Sequence, residues 1–117
     1  MLIGDLNWEV KAMAIDRRYL WEEFFPDRIL ERGLDYCVTQ QNILEFHMND
    51  RSVEAVIAGT DAYLVNIALE GERIVGMSCT CPYAERGFFC KHMAAALYEY
   101  EIERLVREKE GTNNTNE

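Results

Sequence analysis

The chain has 117 residues, 49% of them hydrophobic, and carries 12 Lys and Arg against 21 Asp and Glu, for a formal net charge of −9. That length corresponds to one domain. No apolar run approaches the ~18 residues that span a bilayer, no secretory leader pattern precedes the early charge at Asp5, and a cytoplasmic location is expected. The acidic balance argues against the broad basic face that supplies phosphate affinity; Arg17-Arg18 is the one basic cluster of note.

Residues 1–16 scatter Leu2, Leu6, Trp8 and Val10 among polar positions, which suits either a strand or a short helix. From Arg17 the pattern turns helical, with Leu20, Trp21, Phe24 and Phe25 forming an apolar stripe. Pro26 restarts the chain, because proline fits the first turn of a helix and not its middle. Ile29, Leu30, Leu34 and Cys37 then continue an inward face. Gly33 costs this helix about 1 kcal/mol of propensity, so close packing against a neighbour is expected there. Cys37 reads as a small buried hydrophobe.

After Val38 the apolar period shortens to two. Leu44, Phe46 and Met48 alternate with Glu45 and His47, as in a half-buried strand. Asn49-Asp50 signals a turn, Val53, Ala55 and Ile57 mark a second strand, and Gly59-Thr-Asp61 turns again. Tyr63, Val65, Ile67 and Leu69 share a face of the third strand, and Arg73–Ser78 forms a fourth after Glu70-Gly-Glu72. Short connections between four strands imply an antiparallel meander. Residues 92–107 read as a final helix with Ala94, Tyr98, Ile102 and Leu105 on one face and a solvated acidic run at Glu99, Glu101 and Glu103. The fold class is therefore α+β: N-terminal helices on a roughly four-stranded antiparallel meander, then a metal loop and a C-terminal helix. One domain over 1–110 and a disordered polar tail over 111–117 are expected.

Between the last strand and that helix lie Cys79, Cys81, Cys90 and His92, spaced C-x-C-x8-C-x-H. Three thiols and an imidazole paired at both ends of a short loop are a full ligand set for one tetrahedral Zn²⁺. Cys79 and Cys81 are too close to bridge each other without strain, which favours metal over cystine. Four protein ligands leave no position for an activated water, so the ion is expected to be structural. Neither H-E-x-x-H nor a paired general base appears in the sequence, and no catalytic residue is assigned. Both cysteines of C-x-C can reach one ion only if the chain bends near Thr80-Cys81-Pro82. Cys90, at a helix start, is expected to be favoured as thiolate by the free N–H groups there. Arg86 and Lys91 are placed to offset the thiolate charge, and Phe88 and Phe89 to cover the sulfurs. These four residues are also the candidate partner contacts.

The cysteine pair followed by Pro82, with Cys90-Lys-His92 running into Met93-Ala-Ala-Ala96, resembles the SWIM-type zinc finger, and Glu31-Arg-Gly-Leu-Asp-Tyr36 resembles the RG-x-x-Y segment that precedes the finger in bacterial members. The likeness runs from about residue 19 to residue 98, with the zinc motif at 77–98. It implies a zinc-binding module without catalysis that binds DNA or proteins in the company of nucleic-acid machinery such as Swi/Snf-type ATPases or helicases. The net charge favours a protein partner with a basic surface. The alternative is direct DNA or RNA binding through Arg86, Phe88, Phe89 and Lys91.

Overall fold

The computed structural model describes residues 21–71 and 73–116, with side chains as far as residue 108. The readings made on residues 1–16, on Arg17-Arg18 and on Leu20 lie outside the described residues.

Alternating apolar residues build the sheet. Strands β1 (Ile43–Met48), β2 (Ser52–Ala58), β3 (Ala62–Glu70) and β4 (Arg73–Cys79) pair antiparallel in the order β1-β2-β3-β4, the expected meander. The turns are made by the residues suited to them. Asn49 Oδ1 accepts from the Arg51 and Ser52 backbone N–H groups at 2.7 and 2.9 Å, and Gly71 takes φ +64°, a conformation that suits glycine. Val53 pairs with Ile67 and Ala55 with Val65, and all four are buried on one face. Cys79, the last residue of β4, pairs with Val65 and so ends on that same inner face. Strand register thus carries the first thiol toward the core.

Strand β1 departs from simple alternation, and the β3–β4 pairing also shifts register between Ala68 and Leu69. A register shift between Ile43 and Glu45 turns Leu44 outward, 58% exposed, while Ile43, Phe46 and Met48 pack on the core. A bulge adds one residue to one strand and so breaks the two-residue period at that point.

The helical segments cover the inner face. Trp21 is helical, and a 3-10 turn follows it at Glu22–Phe24. Its tighter winding separates the stripe, burying Trp21 and Phe25 and leaving Phe24 out in solvent. Pro26 then caps helix α1 (Asp27–Leu34), accepting at its carbonyl from Ile29 and Leu30 N–H. The buried positions run Ile29, Gly33, Cys37, a spacing of four that continues through a π-helical turn at Asp35–Thr39. Leu34, expected inward, is exposed, because the glycine beside it faces the neighbouring helix.

A short helix α2 (Pro82–Glu85) lies in the metal loop, and α3 spans Lys91–Asn116. At its start α3 is enclosed by sheet and α1, and Met93, Ala94, Ala95, Ala96 and Leu97 are all buried. Ile102, expected inward, is exposed beyond that enclosure. The backbone stays helical past Arg107 as far as Asn116, through most of the segment expected to be a disordered tail. Nor is the acidic run a purely solvated face. Glu99 Oε1 accepts from the Cys37 thiol at 3.5 Å, and Glu101 Oε2 accepts from Trp21 Nε1 at 3.3 Å, tying α3 to the N-terminal segments.

Candidate metal centre

Three elements supply the cluster. Cys79 closes β4, Cys81 caps α2, and Cys90 and His92 stand at the start of α3. The expected bend falls at Thr80–Pro82. Thr80 stays bound to β3, its N–H donating to Leu64 O and its hydroxyl oxygen accepting from Leu64 N–H. Cys81 then turns into α2, where its sulfur accepts from Ala84 N–H at 3.4 Å, as an N-cap side chain does. Pro82 at the first helical position has no N–H to leave unsatisfied.

The Cys79, Cys81 and Cys90 sulfurs and a His92 ring nitrogen all lie within 4.8 Å of one another, and all four residues are buried. A tetrahedral site with Zn–S near ~2.3 Å and Zn–N near ~2.0 Å separates sulfur from nitrogen by about 3.6 Å. Cys79 Sγ and His92 Nδ1 stand 3.8 Å apart. All the cysteines are free thiols, so no disulfide competes for the sulfurs. Donor chemistry, spacing and burial together fit one structural zinc ion, held by three thiolates and a neutral imidazole.

The protonation of these thiols is uneven. Interaction with Cys90 lowers the pKa of Cys79, while Cys79 and then burial push Cys90 up to about 12. His92 and the Met93 N–H pull Cys90 the other way and are outweighed. The Met93 N–H favours the Cys90 thiolate as expected of a helix start, but a buried sulfur beside another sulfur keeps its proton until a cation replaces it. Burial also raises Cys81.

Around the imidazole stand residues the motif does not contain. Nδ1 faces Cys79, and Nε2 is buried without a hydrogen-bond partner. The ring lies between Tyr63 and Tyr36, with centroids 4.8 and 5.7 Å away. A β-carbon at Gly59 would stand 3.2 Å from Nε2 and 2.9 Å from the Tyr63 ring, so a bare backbone is needed behind the histidine. The sequence marked Gly59 only as a turn. Tyr36 was legible through the RG-x-x-Y resemblance, whose Gly33 and Tyr36 both meet the start of α3.

The four candidate contact residues surround the metal loop, and Lys91 lines one cavity with Cys81, Cys90 and His92. Phe88 does not cover the sulfurs; it is 49% exposed and stacks on Tyr83 at 5.0 Å. Phe89 leans on Phe24 and Phe25, at 5.8 and 5.9 Å. The Arg86 guanidinium lies over Phe88 and the Lys91 ammonium over Tyr36.

Residues 63–101 match the family model of the SWIM zinc finger, a span running from β3 through the metal loop into α3. Neither curated proteins nor solved structures gave a match to the chain. Over residues 63–101 the chain is similar to the SWIM zinc finger, and the same span holds the Cys/His cluster that fits one zinc ion.

Proposed function

We propose that this protein is a zinc-stabilised protein-interaction module with no catalysis of its own, working in the cytoplasm alongside nucleic-acid machinery such as a Swi/Snf-type helicase. The observation that carries the reading is the completeness of the ligand set: four protein side chains, all buried, leave the ion no place for substrate or water. Exposed aromatic side chains beside the cluster, Phe88 and Phe89 among them, offer the kind of surface that anchors protein interfaces. Among the described residues no helix is long and apolar enough to cross a membrane. The test is capture of partners from source-cell extract on the zinc-loaded protein, with and without nuclease. Proteins retained after nuclease and lost with Phe88→Ala support the module; retention only while nucleic acid is intact overturns it.

Direct DNA or RNA binding is the second reading, favoured by the Arg86 guanidinium 5.9 Å over the exposed Phe88 ring. Cation and aromatic together suit a stacked base and its phosphate. A mobility shift that weakens steeply with salt would support it, and no shift at low salt would remove it.

A further inference from the structure

A cavity of about 170 Å³ opens between α1 and the metal loop, lined by Arg28, Ile29 and Arg32 of α1, Tyr83 of α2 and Lys91 of α3, with three of the metal ligands, Cys81, Cys90 and His92, forming its inner wall. Arg28 and Arg32 are four residues apart and so share a helix face. Neither they nor Lys91 form an ion pair with any carboxylate among the described residues. In a chain with 21 acidic residues and a charge of −9, three unneutralised cations around one cavity are the opposite of what the composition would place there. A zinc centre with three thiolates contributes about −1, so the groups that line the cavity keep a positive surplus, while Asp27 and Glu31 lie outside its lining.

We propose that this cavity seats one acidic side chain of a protein partner, with the stacked Tyr83–Phe88 pair receiving an apolar residue beside it. The proposal rests on the interaction-module reading and names the chemistry of its partner. It also revises the expectation of a basic partner at this end of the molecule. A carboxylate can take bidentate hydrogen bonds from guanidinium in this setting. A single acidic group suits the cavity better than a continuous polyanion does. Asp27 and Glu31, both exposed, alternate with the arginines along α1 and would repel a phosphate chain laid across it.

The test is an amide-resolved NMR titration of the zinc-loaded protein with three probes: the capped peptide acetyl-Gly-Glu-Phe-Gly-amide, its glutamine counterpart, and a short oligothymidylate. The glutamate peptide should shift the amides of Arg28, Arg32, Tyr83 and Lys91, and the glutamine peptide should not. Arg28→Gln with Arg32→Gln should weaken the response about tenfold or more, the scale of one charge-assisted hydrogen bond, while zinc stoichiometry stays unchanged. Equal response to both peptides, no response, response to oligothymidylate alone, or loss of zinc from the variant would each overturn the proposal. The capture experiment, repeated with the double variant, separates the two readings. Partners still held by the variant would sink the acidic seat and leave the module standing; partners absent even from the unaltered protein would sink the module.

Discussion

Gly33 on α1 lies so close to Ala94 on α3 that a β-carbon on the glycine would stand 2.5 Å from the Ala94 Cβ and 3.0 Å from the Ala95 backbone nitrogen. The contact occurs two residues past His92, so the helix that presents two metal ligands is positioned by a glycine outside the finger. Gly33→Ala gains helix propensity, yet backbone on one side and a buried alanine on the other leave the new methyl no room. The expected net effect is destabilisation by about 1–3 kcal/mol, the usual cost of overpacking, with weaker zinc retention because the start of α3 must shift. Urea unfolding together with a chelator competition measures both; a variant more stable than the parent would show that the two helices can separate freely.

Much of this was legible in the sequence because it depends on local chemistry. Apolar alternation marked the first three strands, turn residues marked their connections and the start of the fourth, and thiol spacing marked the knuckle. Leu34, Leu44 and Ile102 were misplaced for reasons that periodicity cannot carry. Leu44 depends on a bulge, Leu34 on a glycine preferred at the helix contact, and Ile102 on how far along α3 the sheet extends. The chemistry around His92 was hidden for a related reason. Gly59, Tyr36 and Tyr63 come from a turn, a π-helical turn and a strand, and only the folded topology brings them to one ring. The cavity was missed because Arg28 and Arg32 are exposed helix residues, and only the packing of α3 and the metal loop beside α1 brings Tyr83 and Lys91 to the same space.

Zinc removal should act locally. The segment from Thr80 to Cys90 holds only one short helix, and apart from its ligand cysteines none of its side chains is buried. Zinc binding worth roughly 10–16 kcal/mol in small fingers therefore takes the place of a core here. Chelation, or Cys90→Ser, is expected to melt α2 and the first turn of α3. The sheet face built on Val53, Ile57, Val65 and Ile67 should survive through its own burial. Hydrogen exchange should show protection lost over residues 80–93 and retained in β2 and β3; uniform loss across the chain would mean that the ion holds the whole fold.

The thiol protonation pattern predicts how zinc binding follows pH. Cys90, held up to about 12, and Cys81, raised by burial, must each lose a proton to bind metal, whereas Cys79 is already lowered. Protons and zinc compete for the same sulfurs, so affinity must rise with pH. Near neutrality the expected release is between about two and three protons per zinc, and apparent affinity should fall by about a hundredfold or more for each unit of acidification. Calorimetry in buffers of different ionisation enthalpy counts those protons; a count near zero would mean the thiols ionise before the metal arrives.

Cys37 supplies an internal control, because its thiol is buried far from the cluster in sequence and donates to Glu99 across the α1–α3 contact region. Burial first, and the Glu99 carboxylate second, push its pKa from 9.0 up to about 12. Thiolate is the reactive form; chelation at neutral pH should melt the loop and release its three thiols from the burial that holds their protons, giving rapid alkylation, while Cys37 reacts only as α1 and α3 separate. The sign of its effect on stability follows from the same shift. Below 9.0 the thiol is neutral whether the chain is folded or unfolded; from there toward 12 only the unfolded chain ionises, so native stability declines as alkali is added. Cys37→Ala should flatten that alkaline decline and leave three labelled thiols, all in the fast phase after chelation. Four thiols reacting at one rate in the unaltered protein would show that the α1–α3 contact opens together with the metal loop.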